Sequence, residues 1–428
     1  MLRIDSLDAE GRGVGRNAEG KVTFVEGALP GEEVSFQVLK KKSSFEVARV
    51  TAITHAASSR QLPRCPHFGV CGGCSLQHAD ARTQMAAKQR WLEENLARIG
   101  KVEPETLLPI VYGPDWHYRA RARLGARYVF KKGGAMVGFR EKRSSYITDM
   151  RECHVLPRHI SELITPLRGL VEMLSIQARL PQIELACGDA DSILVIRHLD
   201  ALEPRDELLL REFSQRHGVS IWLQPGGPDS AHPFHPAPSE LPQLLHYALP
   251  EFGLRLHFRP TDFTQVNHGV NRILVSRAVR LLDPRPGERV ADLFCGIGNF
   301  SLPLATRGAE VIGFEGSREL VERARHNALL NKLTVQFELA DLFENDFGAL
   351  GPFDKLLIDP PREGAVELVK GLPDAWPRRI VYVSCDPATL ARDAGVLIHT
   401  RGFRLTAAGV VNMFPHTAHV ESIALFER

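Results

Sequence analysis

The chain of 428 residues carries seven cysteines, at 65, 71, 74, 153, 187, 295 and 385. An odd count in a chain this long argues against a disulfide framework and favours metal binding or thiolate chemistry. Three of them lie together in CPHFGVCGGC (65–74), spaced C-x5-C-x2-C, and Cys153 in RECHVL is a remote fourth. Cys65, Cys71, Cys74 and Cys153 thus form a four-thiolate set suited to a tetrahedral zinc or a [4Fe–4S] cluster, and spacing alone does not separate the two. The C-x3-C-x2-C spacing of the radical enzymes is absent. Cys187 and Cys295 read as core packing. Cys385 is different, because in RRIVYVSCDPATLARD (378–393) it falls between a strand and a helix. A free thiol of pKa ~8.5 is only a few per cent thiolate at neutral pH, and the following helix N-terminus is expected to favour that thiolate. A possible base follows in FPHTAHVESIALFER (414–428), where Glu421 comes after His416 and His419.

The elements around Cys385 say what the thiolate acts beside. In ERVADLFCGIGNFSLPLA (288–305) an apolar strand ends at Asp292, Gly296 and Gly298 form a loop, and a helix begins. Glycines there let backbone approach a ligand at the strand's C-terminal end. AEVIGFEGS (309–317) ends near Glu315, placed to accept hydrogen bonds from both hydroxyls of a ribose. VQFELADLF (335–343) puts Asp341 after a third strand, and FDKLLIDPPREG (353–364) puts Asp359 after a fourth. This series resembles the class I S-adenosylmethionine-dependent methyltransferase fold. The third glycine of a nicotinamide-dinucleotide loop is missing, which makes a dehydrogenase the weaker reading. No Lys-Ser/Thr follows the glycines, which excludes a P-loop.

A methyltransferase has a use for a thiolate when its target is C5 of a pyrimidine. That carbon is too weak a nucleophile until a thiolate adds to C6, after which a base must remove the C5 proton. FTQVN (263–267), DLFCGIGNFSLPLA, DPPR (359–362), SCDPATLARD and HVES together resemble the RNA uracil-C5-methyltransferases, over essentially the whole chain. The resemblance implies that Gln265, Phe294, Asn299, Glu315, Asp341 and Asp359 contact S-adenosylmethionine. It also implies Cys385 as nucleophile and Glu421 as base, with Asp359 between cofactor and uracil. CGGCSLQH resembles the cluster signature of one branch of that family and on that ground favours [4Fe–4S] over zinc.

Further elements must hold the RNA. Residues 1–54 read as five or so short strands between glycine turns, a small barrel that resembles the TRAM domain, an RNA-binding module. Barrel and cluster together are the arrangement of the branch acting on 23S ribosomal RNA. From 119 to 143 nine Lys/Arg stand against the single acid Glu141. Arg119, Arg121 and Arg123 alternate, so on a strand they share one face and ask for an anion such as phosphate opposite. Lys131 and Lys132 extend this basic stretch. A helix is expected over 81–99 with Gly100 as its cap, a hairpin over QIELACGDADSILVIRHL, and a long loop over 225–242.

The whole therefore reads as a multidomain protein. It comprises an all-β barrel (1–54), a central α+β region bearing the iron–sulfur cluster (55–260) and an α/β Rossmann-like methyltransferase domain (261–428). The helix near 81–99 is expected to pack on the last of these. Hydrophobic residues at 44%, charged residues at 24% and a net charge of +2 exclude disorder and leave nucleic-acid contact to local patches. No apolar run approaches the roughly 18 residues of a membrane helix. The acidic start MLRIDSLDAEGRG is no signal peptide, so a cytoplasmic protein is expected; separately, a monomer is expected. Two rivals stay open: the same chemistry on a tRNA or another 23S uridine, and an iron–sulfur RNA-binding or chaperone-like protein with a vestigial methyltransferase domain.

Overall fold

Alternating apolar and polar residues between glycine turns give the N-terminal unit six strands. The structure, a computed structural model, describes residues 1–237, 244–343 and 351–428, apart from the side chain of Lys132. In space the strands run Leu2–Arg3, Glu33–Lys41, Phe45–His55, Val22–Glu26, Gly13–Arg16, Ser6–Leu7. Leu2–Arg3 pairs with one edge and Ser6–Leu7 with the other, so a single short stretch of chain closes the sheet into a barrel. Gly15 is needed where the walls meet, since a Cβ there would lie 2.2 Å from the carbonyl oxygen of Arg3. Leu2, Ile4, Val25, Ala28, Val34 and Ala48 fill the interior.

A second six-stranded sheet follows, ordered His232–His235, Ser220–Gln224, Ser192–Arg197, Gln182–Cys187, Arg121–Val129, Gly134–Gly138. It contains the expected hairpin, Gln182–Cys187 against Ser192–Arg197. The helices Ile164–Met173 and Pro204–His217 share its apolar core. Part of the stretch expected to be loop is the edge strand His232–His235, and its residues 238–242 lie outside the described ones.

The helix Ala81–Asn95 starts at Asp80, whose carboxylate accepts the Thr83 amide. Its end differs from the expected glycine cap. Leu96–Gly100 is a π-helical turn, and Lys101 at φ 55° takes the left-handed position. Gly100 serves packing instead, because a Cβ there would sit 2.4 Å from the Ala391 carbonyl oxygen of the helix Pro387–His399.

The C-terminal sheet has eight strands: Gln336–Leu339, Glu310–Glu315, Arg289–Leu293, Lys355–Ile358, Arg379–Ser384, Glu421–Glu427, Arg404–Val411 and Thr106–Leu107. The first five are parallel, Glu421–Glu427 runs antiparallel to both of its neighbours, and the edge strand, parallel to Arg404–Val411, comes from the N-terminal half. The hairpin Leu245–Leu249 and Leu254–Phe258 and the helix His268–Leu282 pack into the same core. Strand order reverses between Arg289–Leu293 and Lys355–Ile358, which opens a crevice at the strands' C-terminal ends. No helix among the described residues is long and apolar enough to cross a membrane.

Candidate active site

The crevice is a cavity of about 690 Å³, and Gln265, Phe294, Asn299, Glu315, Asp341, Asp359, Cys385 and Glu421 all line it. After the strand Arg289–Leu293 the chain turns through left-handed backbone at Phe294 (φ 63°), Gly296 (φ 55°) and Gly298 (φ 90°). For a phenylalanine this is a strained conformation, of a kind that clusters at functional sites. Glu315 is aimed by the loop itself, its carboxylate accepting the Gly296 and Ser317 amides at 3.0 Å each. Asp341, also in the cavity wall, accepts the Phe343 amide at 2.9 Å.

Asn299 is held by partners that sequence reasoning missed. Asn271 exchanges two amide hydrogen bonds with it, at 2.9 and 3.0 Å, and the Tyr247 hydroxyl donates at 2.8 Å. The available signal was a buried asparagine on the apolar face of the helix His268–Leu282. The segment carrying Gln265 is clamped by the central region, since the Ala120 amide donates to the Val266 carbonyl at 2.7 Å.

The carboxylates and the thiol sit where charge is costly. Burial pushes Asp359 up to about 7, and burial with Asp359 nearby pushes Glu421 well above the ordinary carboxyl range. Cys385 is pushed up to about 11, first by burial and then by Glu421 and Asp359, while Arg362 pulls the other way. This corrects the expectation of a thiolate favoured by the helix N-terminus. Asp386 occupies that end, its carboxylate accepting the amides of Ala388 at 2.9 Å and Thr389 at 3.4 Å. Arg362, the end of DPPR, lies 3.5 Å from Asp386 and lines both the main cavity and an adjoining cleft beside Cys385.

Cys65, Cys71, Cys74 and Cys153 converge on one small cavity walled by Phe68, Phe139 and Met150. Burial first, then neighbouring thiols, raises Cys74 to about 11. Burial likewise raises Cys153 to about 12. Soft donors meeting in an apolar enclosure with no carboxylate suit a thiophilic metal group. Among the described residues, however, no group of three or more His, Cys, Asp or Glu side chains is placed to hold a metal ion.

The basic stretch is less free than its pattern suggests. Ala120, Ala122 and Leu124 are buried while the three arginines alternate with them. Arg121, however, donates to the carbonyls of Thr261 and Asp262, and Arg123 pairs with Glu184 at 2.9 Å. The guanidinium of Arg119 lies 5.6 Å from the Phe139 ring centre. Arg119 and Arg123 nevertheless line a groove with Arg140, Lys142, Arg143 and the barrel's Arg12. Lys131 is exposed at the tip of the hairpin, and the side chain of Lys132 lies outside the described residues.

The sheet order and the glycine-loop cavity define a class I S-adenosylmethionine-dependent methyltransferase carrying a TRAM barrel. Residues 248–428 match the tRNA (Uracil-5-)-methyltransferase family and residues 2–50 the TRAM domain. A Pyrococcus abyssi tRNA (uracil-54, C5)-methyltransferase, solved with S-adenosyl-L-homocysteine, superposes with a TM-score of 0.76. It is 25% identical, and the match covers 100% of this chain and 99% of that one. The 23S rRNA (uracil(1939)-C(5))-methyltransferases RlmD of Nitrosospira multiformis and Thiobacillus denitrificans are each 60% identical to this chain. Those alignments cover 99% and 100% of it, and 98% and 99% of the relatives. The chain belongs to the RlmD family of 23S rRNA (uracil-C5)-methyltransferases.

Proposed function

We propose that this chain transfers the methyl group of S-adenosylmethionine to C5 of a uridine in 23S ribosomal RNA, in the cytoplasm, through a covalent adduct between Cys385 and C6. The uridine is the one numbered 1939 in the names of its relatives. The observation that carries this reading is that Cys385 and Glu421 line the same cavity as the glycine loop and Asp359. When bound, S-adenosylmethionine supplies an electrophilic methyl on a sulfonium, whose positive charge also favours the ionised carboxylates. Gln265, Phe294, Asn299, Glu315 and Asp341 bind and orient it. Cys385 loses its proton to solvent and its Sγ bonds to C6, which moves the C5–C6 π pair into an enolate that makes C5 nucleophilic. Once C5 carries the methyl, the Glu421 carboxylate takes the C5 proton, the pair re-forms the C5–C6 double bond, and the C–S bond breaks to return the thiolate. Asp359 would sit between the cofactor and the uracil.

The barrel (1–54) and central region (55–260) hold the RNA in this reading, with Arg119, Arg123 and Lys131 on the basic side while Arg121 is taken up by the carbonyls of Thr261 and Asp262, and 261–428 carries the chemistry. The target base must leave its stack, at a cost of a few kcal/mol that is least in a single-stranded loop. The four cysteines would hold a [4Fe–4S] cluster that ties 65–74 to the central sheet.

Labelled methyl transfer to unmodified 23S rRNA, with tRNA in parallel and nucleoside mass spectrometry, tests the reading. Labelled 5-methyluridine in 23S rRNA alone is expected; label in tRNA overturns the substrate. Cys385→Ala is expected to abolish turnover and leave S-adenosylmethionine binding nearly intact. Glu421→Gln is expected to accumulate an RNA–protein adduct, and its absence would remove Glu421 from the role of base.

A further inference from the structure

The strand bearing Glu421 is reached through a loop, 412–420, that the C-terminal domain does not hold by itself. Its successive carbonyls are taken by groups from the N-terminal half. Lys88 Nζ donates to the Phe414 carbonyl at 2.8 Å, the Tyr118 hydroxyl to that of Pro415 at 3.0 Å, and the Ser75 and Leu76 amides to that of His416 at 2.9 Å each. Gln84 accepts the His416 amide at 3.0 Å, at a residue whose φ of 65° is a left-handed conformation. Lys88 also donates to Asn412 Oδ1 at 2.8 Å. It is 0% exposed and has no carboxylate within ion-pair distance among the described residues. A buried cation without a counter-charge is expensive, and burial pushes this one down to about 7. A helix that needed only to pack would place an apolar residue there, as it does at Leu92 one turn later.

We infer that Lys88 is a positioning residue for the methyl-transfer reaction, fixing the loop that carries Phe414 into the cavity wall and delivers Glu421 to the uracil. It lines neither the main cavity nor the adjoining cleft and acts through the Asn412 side chain and the Phe414 carbonyl. The inference rests on the reading of Glu421 as the base. Lys88→Met keeps the length and apolar bulk of the side chain and removes both hydrogen bonds. The expected result is a fall in kcat of about tenfold or more, since small misplacements of reacting groups are costly. KM and binding affinity for S-adenosylmethionine should stay unchanged, and the RNA–protein adduct should build up during turnover because proton removal is slowed. A purely structural role instead lowers the melting temperature and leaves kcat per folded molecule at the wild-type value, and that result overturns the inference. If Lys88→Met does not fold, Asn412→Ala, which deletes one acceptor, is judged by the same kcat and KM. Glu421→Gln run alongside separates the two claims. No adduct there defeats the base assignment, whereas an adduct there with wild-type kcat in Lys88→Met defeats the positioning role.

Discussion

In the proposed mechanism Cys385 and Glu421 both work deprotonated, and both are held in the protonated form by their surroundings. Burial and the two carboxylates raise the thiol to about 11, and burial with Asp359 raises Glu421 well above its usual range. Raised values mean that the active forms gain population as pH rises. The single-turnover rate of methyl transfer is therefore expected to climb from about pH 6 to about pH 9 at saturating cofactor and RNA. A rate that falls across that interval would contradict deprotonated Cys385 and Glu421 as the working species. Asp386 explains why a residue beside a helix N-terminus is not a ready thiolate. Its carboxylate occupies the end of the helix, so the charge of the peptide dipoles is answered before it reaches the sulfur.

At the scale of elements, the molecule is joined where helix meets helix. The π-turn Leu96–Gly100 lies against Pro387–His399, the helix that follows Cys385, and backbone meets backbone at Gly100 and Ala391. Gly100→Ala would force a Cβ to 2.4 Å from a carbonyl oxygen that no rotamer change can move. The expected cost is about 1–3 kcal/mol in denaturant unfolding, the usual range for overpacking. An unchanged midpoint would show that the two helices separate without penalty. Edge strand Thr106–Leu107 and the loop 412–420 are joined to the rest in the same manner, by backbone groups from distant parts of the chain.

For the whole molecule, the groove between barrel, cysteine-rich loop and central sheet leads past Thr417 and His419 to a cleft that shares Cys385 and Arg362 with the main cavity. Arg140 is exposed on that groove. If it contacts one phosphate of a single-stranded segment, Arg140→Ala should weaken binding of a 23S rRNA fragment. The slope of log affinity against log salt should become shallower by about 0.7. An unchanged slope in a filter-binding or anisotropy titration would move the RNA path off this groove.

Local order along the chain was enough to bring the motif residues to one cavity and to give much of the architecture. Strand, glycine loop and acid follow each other at short range in DLFCGIGNF and FEGS, and the backbone of a parallel sheet leaves such residues only one end at which to meet. That is why Gln265, Phe294, Asn299, Glu315, Asp341, Asp359, Cys385 and Glu421 could be named from motifs and are found lining one cavity. Tertiary structure alone decided the rest, because it depends on which distant groups arrive next to each other. Arg121 reads as a phosphate ligand until the carbonyls of Thr261 and Asp262 come to its guanidinium. Cys385 reads as an activated thiol until burial, and then the nearby Glu421 and Asp359, push it up. Lys88 reads as a solvated lysine on an amphipathic helix until the loop before Glu421 closes over it, and charge and hydrogen-bonding capacity that look free in a sequence are committed only by burial.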